Sequence, residues 1–259
     1  MRREMPAVSG RTGASLAAGV AGAGIIAYLT LRPAEGWILW LTVGLVSLAV
    51  DGLVRGSSRW EDDSPYGSII YVVLPALAVL GTGLFINNAV QGYARPLSGL
   101  AGAAMVGAVV LGEYHTVDYG SRLYGPMRLA LAIATYLTAF ALFTVIYGRD
   151  VPLVVSGGLT GLVSLALSVE LLRESRLLGP SSLLAGLAIG ISLAELRLAF
   201  YFFPLDDLLA GALLIIGFYL ATGLVHHLLD HDLELSTTAE YLLVATVATA
   251  AVVFTRVVV

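Results

Sequence analysis

The chain has 259 residues, of which 58% are hydrophobic and only 12% are charged, and its formal net charge is −4. A soluble domain carries about 25% charged residues, and the deficit here extends along the whole chain, so the composition excludes a sizeable soluble domain. Cysteine is absent and every basic residue is arginine, which excludes disulfides, cysteine-ligated metal and thiol nucleophiles. The sequence contains no basic patch with interleaved aromatic residues, so it gives no indication of nucleic-acid binding.

Long apolar runs separated by short polar segments follow one another along the chain, each close to the ~20 residues that a helix needs to cross a bilayer. They predict an all-α, polytopic transmembrane helical bundle of eight or nine spans, preceded by a cytoplasmic tail at residues 1–13 and forming a single domain over residues 14–257. The predicted spans are 14–31, 37–54, 66–87, 97–114, 126–148, 152–173, 181–203, 208–229 and 239–257.

The arginines are distributed unevenly between the two ends of these spans. With the N-terminus inside, the cytoplasmic segments hold nine arginines and the external segments hold four. Cytoplasmic loops of membrane proteins carry the excess of basic residues. The sequence therefore predicts a multi-pass protein of the bacterial cytoplasmic (inner) membrane with a cytoplasmic N-terminus.

Two pairs of glycines stand at a spacing of four residues, Gly157 with Gly161 on the sixth span and Gly186 with Gly190 on the seventh. Such pairs allow two membrane helices to approach closely. We expect the sixth and seventh spans to pack as an antiparallel pair. The sequence GLVSLA, at residues 44–49 and again at 161–166, also suggests a 4+4 parallel repeat of the kind that builds many transporters.

One candidate polar site lies within the membrane. Glu195 lies near the middle of the seventh span, where an ionisable group costs roughly 2.5–3.5 kcal/mol on insertion scales. Arg197 lies on another face of the same helix, near enough to the outer end to extend its guanidinium towards water. Tyr219, at similar depth on the eighth span, is the predicted partner of Glu195. The site is interpreted either as a proton or substrate site or as an acid that fixes helix packing.

A second candidate site lies at the cytoplasmic ends of the even-numbered spans. Imidazole and carboxylate groups at this level could relay protons or hold a divalent metal, and His227 stands four residues before His231. No complete three-ligand set appears, so we predict no metal and no cofactor. The alternative interpretation is that these polar residues have no special function, because polar side chains are common where helix ends meet water. The residues of this predicted cluster are Asp51, Glu113, His115, Glu170, His226, His227 and Asp230.

The last third of the chain resembles an uncharacterised family of bacterial multi-pass membrane proteins, classed as a domain of unknown function. The resemblance runs from about 190 to 245 and is carried by residues 193–199 with Phe203-Pro204, by Phe218-Tyr219 with residues 223–227, and by Glu240-Tyr241. It implies a helical membrane fold and directs attention to Glu195, Tyr219 and His226. It implies no activity.

Three functions remain open. The first is a structural or assembly partner in a membrane complex, which the lack of a complete catalytic set favours. The second is a small proton-coupled carrier component with Glu195 as its coupling acid. The third is an intramembrane enzyme acting on a lipid-linked substrate through His226, His227, Asp230 and Glu113. The expected partners are the lipid bilayer and a membrane protein or a second copy of the chain, and enzymatic activity is the less favoured hypothesis.

Overall fold

The computed structural model describes residues 8–31, 36–57, 67–118, 120–173, 180–230 and 234–258 of the protein. Within these ranges the chain forms nine α-helices and one 3₁₀ turn at Phe200–Phe202, and it contains no strand. The helices are α1 Val8–Thr30, α2 Gly36–Arg55, α3 Ile69–Ala89, α4 Ala94–Thr116, α5 Tyr124–Tyr147, α6 Leu153–Leu172, α7 Pro180–Ala199, α8 Asp207–Leu229 and α9 Leu235–Val258.

All nine helices in the described part of the chain are long and apolar enough to cross a membrane. The prediction of an all-α bundle of membrane-spanning helices is therefore confirmed. The observed helices extend beyond the apolar runs at several ends: α1 begins at Val8, inside the segment predicted as a tail, and α9 begins at Leu235. Apolarity marks the length that crosses hydrocarbon, whereas a helix can continue into the polar flanks.

The chain divides into two compact units, residues 1–138 and residues 139–259, with the boundary inside α5. In the first unit α1 packs against α2 and α4, and α3 packs against α2 and α4. Small residues lie at these contacts: a Cβ on Gly22 would stand 3.3 Å from the Cβ of Ala103 on α4, and a Cβ on Gly102 would overlap Thr82 on α3. The single-domain organisation and the internal repeat stay predictions.

In the second unit the tightest pair is α6 with α7. A Cβ on Gly161 would lie 2.9 Å from the carbonyl oxygen of Gly190, and a Cβ on Gly190 would lie 2.7 Å from the carbonyl oxygen of Gly161. Real Cβ atoms essentially never come this close, so only glycine permits the contact between the two backbones. The predicted close packing of the sixth and seventh spans through their glycines is confirmed.

Helix α8 is joined to its neighbours in the second unit by three further glycines. Gly211 faces Thr144 on α5, Gly217 faces Leu196 on α7, and Gly223 lies under the ring of Tyr241 on α9. Asp206 caps the start of the helix, where its carboxylate accepts a hydrogen bond of 2.8 Å from the backbone N–H of Leu209. Each glycine leaves room for a side chain from a different helix, so α8 packs closely against α5, α7 and α9 at these three positions.

The glycine contact with α6 also fixes the rotation of α7 about its axis. Successive residues of a helix turn by about 100°, so Glu195, nine residues after Gly186, points about 180° away from it. Arg197 comes seven residues after Gly190 and shares its face to within about 20°. The contact therefore turns Arg197 inward and Glu195 outward.

Candidate functional site

Glu195 lies on the exposed face of α7. The apolar segment of this helix with the 3₁₀ turn runs from Ser181 to Phe202, which places Glu195 about 5 Å past the middle of the span at 1.5 Å per residue. Among the residues that the structure describes, none makes a hydrogen bond or an ion pair with its carboxyl group. An ionisable side chain thus faces outward near the centre of a membrane-spanning segment.

Tyr219, the predicted partner of Glu195, faces a different helix. Its ring centroid lies 5.3 Å from that of Tyr241 on α9, with an angle of 40° between the ring planes. Tyr241 reaches this position because Gly223, one turn along α8 from Tyr219, leaves room for its ring. The structure therefore does not bring Tyr219 and Glu195 together.

Arg197, in the last turn of α7, is buried, with only 7% of its surface exposed. Its guanidinium carbon lies 4.2 Å from the centroid of the Tyr147 ring, in the arrangement of a cation–π contact. The hydroxyl of Tyr147 donates a hydrogen bond of 3.4 Å to the carbonyl oxygen of Phe200. Tyr147 of α5 thus contacts both the last turn of α7, through Arg197, and the 3₁₀ turn, through Phe200.

The end of α8 carries a short chain of imidazole and aromatic rings. His226 Nε2 lies 3.4 Å from Asp230 Oδ2, and both side chains are about one-third exposed. The ring of His227 lies 5.9 Å from that of His226 and 5.6 Å from that of Tyr241. His231, the second histidine of the predicted i,i+4 pair, lies outside the described residues.

Glu170 and Arg173 form a buried ion pair at the end of α6. The distance from Arg173 Nη2 to Glu170 Oε1 is 3.2 Å, and the two side chains are 4% and 2% exposed. The acid is thus compensated by a cation three residues along the chain, at the residue that caps the helix. This arrangement stabilises the helix end and leaves the carboxylate closed to water.

Asp51 and His115 of the first unit also have local partners. Asp51 accepts hydrogen bonds from the Arg55 Nε, at 2.8 Å, and from the Ser68 hydroxyl, which links the end of α2 to the start of α3. The ring of His115 lies 5.4 Å from that of Tyr114. Glu113 is fully buried in α4.

The seven residues of the predicted cluster are distributed over both units: Asp51, Glu113 and His115 belong to the first, and Glu170, His226, His227 and Asp230 belong to the second. Their common membrane level stays a prediction. Within the described ranges, no three histidine, aspartate or glutamate side chains gather as a metal ion requires. The structure pairs His226 with Asp230 and brings His227 beside His226.

Sequence reasoning missed Tyr147, Tyr241 and Ser68 as partners of the charged and polar groups. Gly223 was the available signal for Tyr241, because a glycine inside an apolar helix often marks the close approach of another side chain. Tyr147 closes the last turn of α5, where an amphipathic ring is common at a membrane interface. Its contact with Arg197 follows only from the rotation of α7.

The sequence profile of a family described as protein of unknown function (DUF5656) matches residues 14–255. The match covers nearly the whole chain, so the similarity extends well beyond the segment from about 190 to 245 in which the sequence analysis placed it. No curated protein and no solved structure gives a significant match to the chain.

Proposed function

Since the chain belongs to this DUF5656 family of proteins of unknown function, we propose its function from its own residues: it is a structural subunit that assembles with another membrane protein through the face of α7 that carries Glu195. The exposed position of Glu195 near the middle of its span is the observation that carries this proposal. A multi-pass integral membrane protein is what the nine apolar helices of the described chain indicate.

The energetic argument starts from the cost of an isolated acid in hydrocarbon. A charged side chain at the centre of a spanning helix costs roughly 2.5–3.5 kcal/mol on insertion scales, and such residues almost always face the interior of a bundle, a cavity or a partner. Glu195 lies on the outer face of its unit, and the described chain offers it no hydrogen bond or ion pair. A helix of a companion protein would remove this cost.

Two buried charged groups of the second unit support the same interpretation. Glu170 has Arg173 beside it, and Arg197 has the ring of Tyr147, so both are compensated inside the chain. A subunit whose buried charged groups are compensated within the chain, and whose mid-span acid faces outward, is suited to assembly.

The assembly state of the protein in its own membrane tests the proposal. The wild-type chain, extracted in polymer nanodiscs, should have a mass greater than that of one chain by light scattering. Glu195→Leu should reduce the mass to that of one chain, because it removes the polar contact. Glu240→Leu is the matched control, since Glu240 is an exposed acid at the start of α9. A wild-type protein that elutes as a lone chain would contradict the proposal.

A proton-coupled carrier component is the second candidate, because a carboxyl group near the middle of a span is also the group that proton relays use. The variant Glu195→Gln separates the two functions. A coupling acid would lose proton flux into reconstituted vesicles in this variant, measured with an internal pH dye, while the protein stays assembled. An assembly residue would lose the partner and show no proton flux in the wild type either.

We further propose that the protein lies in a bacterial cytoplasmic membrane with its N-terminus inside, supported by the excess of arginine on that side. Since the chain has no cysteine, a single introduced thiol reports the side of a loop. Ser57→Cys should resist an impermeant maleimide in intact cells, and Tyr93→Cys should react. The opposite pattern would reverse the orientation.

A further inference from the structure

Among the residues that the structure describes, no cation pairs with the carboxyl group of Glu195. The chain contains no lysine, and the arginines of the described residues lie near helix ends or between helices, with Arg197 in the last turn of α7. Arg197 is buried against Tyr147. Besides Arg197, the described arginines near helix ends or between helices are Arg11, Arg55, Arg95, Arg122, Arg128, Arg149, Arg173 and Arg256.

We propose that the α7 face around Glu195 binds a transmembrane helix of an unlike protein, and that this helix carries an arginine or lysine side chain near the middle of its span. The inference deepens the proposed assembly function and rests on it. Acidic and basic side chains inside membranes pair with one another, and the charge of Glu195 specifies a basic partner.

A second copy of this chain is the less suitable occupant. Two copies insert with the same orientation, so a symmetric contact through α7 would bring two Glu195 side chains together at one depth. Like charges placed opposite one another at an interface cost several kcal/mol. The Arg197 of the second copy would be buried against its own Tyr147.

The surface around Glu195 also has the shape that a helix needs. Ala188, Ser192 and Ala199 are exposed on the same face of α7 as Glu195, at spacings of three and four residues. Small residues at this spacing let two helix backbones approach closely in lipid. The hydroxyl of Ser192 donates to the carbonyl oxygen of Ala188 at 3.0 Å, so its polar group is satisfied within α7.

The test uses the full-length protein in phosphatidylcholine vesicles and three synthetic membrane-spanning peptides of leucine and alanine. The peptides are identical except for one central residue, which is arginine, glutamate or leucine. Energy transfer between labelled peptide and protein should show the arginine peptide binding about tenfold more tightly than the leucine peptide, as one interhelical polar contact of usual strength would give. Equal binding of the two peptides overturns the proposal.

Variants that remove or reverse the charge at position 195 distinguish a loss of peptide recognition from a failure of the protein to fold. Glu195→Gln should abolish the preference for the arginine peptide, and Glu195→Arg should transfer the preference to the glutamate peptide. Each variant is first checked for a wild-type elution volume and helix content. If folded Glu195→Gln still prefers the arginine peptide, the peptide recognises another surface and the proposal fails.

A single cysteine at Ser192 separates this inference from the assembly function itself. In native membranes, oxidation of Ser192→Cys gives a product of twice the chain mass only if two copies meet at this face. That product, together with an assembly that depends on Glu195, would leave the assembly function standing and overturn the unlike partner. Absence of the dimer product from an assembly that depends on Glu195 supports the unlike partner.

Discussion

Glu170 and Glu195 are two acids of the same unit with opposite surroundings. Glu170 is 2% exposed at the end of α6, and Arg173 lies 3.2 Å from it. Glu195 is exposed near the middle of α7 and has no ion pair in the described chain. The charge of Glu170 is compensated by an ion pair within the chain. Glu195 lies on the outer surface of the unit and has no such compensation in the described residues. The contrast separates a group that stabilises the chain from one that faces a companion.

The largest expected effect comes from breaking the compensated site. Arg173→Leu removes the cation beside Glu170, and removal of one partner of a buried ion pair costs about 3–5 kcal/mol of unfolding free energy. Unfolding by sodium dodecyl sulfate in mixed micelles, followed by far-ultraviolet circular dichroism, measures the loss. Arg149→Leu, at an exposed arginine, is the control and should change stability little.

The double variant Glu170→Leu with Arg173→Leu sharpens this result. Replacing both members of a buried pair with apolar residues is often neutral or stabilising, so the double variant should be more stable than Arg173→Leu alone. A double variant as unstable as the single one would mean that the arginine acts through other contacts, and that Glu170 is not the group it compensates.

The next effect concerns the contact that gives the two faces of α7 their different environments. Gly190→Leu places a side chain against the carbonyl oxygen of Gly161, 2.7 Å from the first added carbon, and overpacking costs about 1–3 kcal/mol. The same unfolding titration measures it. Gly158→Leu is the matched control, because nothing lies within 4 Å of a Cβ at that glycine. Equal stability of the two variants would contradict the close α6–α7 contact.

A smaller effect is expected at Arg197, which the fold turns inward. Tyr147→Leu removes the aromatic face under the guanidinium, and a desolvated cation–π contact contributes about 0.5–2 kcal/mol. Tyr147→Phe keeps the ring and should retain most of this stability, losing only the weak hydrogen bond to Phe200. If the phenylalanine variant loses as much as the leucine variant, the hydroxyl contributes more than the ring does.

The sequence predicts the fold well because the length and number of apolar runs follow directly from the thickness of a bilayer. The contact of α6 with α7 was also predictable, since Gly161 and Gly190 each belong to a pair of glycines four residues apart, a pattern that marks the close approach of two helix backbones. The ends of α1 and α9 were less predictable, because a helix continues beyond the hydrocarbon that its apolar residues mark.

The partners of the polar groups were harder to predict, for a physical reason. A helix that is apolar on all sides does not reveal which face is inward, so the sequence alone left Glu195 facing Tyr219 and Arg197 facing water. The glycine contact decides the rotation, and it turns Arg197 towards Tyr147 and Glu195 outward. The membrane orientation and the companion stay predictions, because the bilayer and the other protein set them.

The smallest expected effect is the one that most directly tests the contrast between the two acids. Glu195→Leu should change the unfolding free energy of the single chain in detergent by no more than about 0.5 kcal/mol, the usual range for a surface substitution away from special features. Glu170→Leu, the same change at the buried acid, should destabilise the chain severely, because it leaves Arg173 without its carboxylate. Comparable losses in both variants would mean that Glu195 also stabilises the chain from within. If Glu195→Leu leaves the unfolding free energy unchanged but no longer assembles in native membranes, this carboxyl group acts only in the contact with the partner protein.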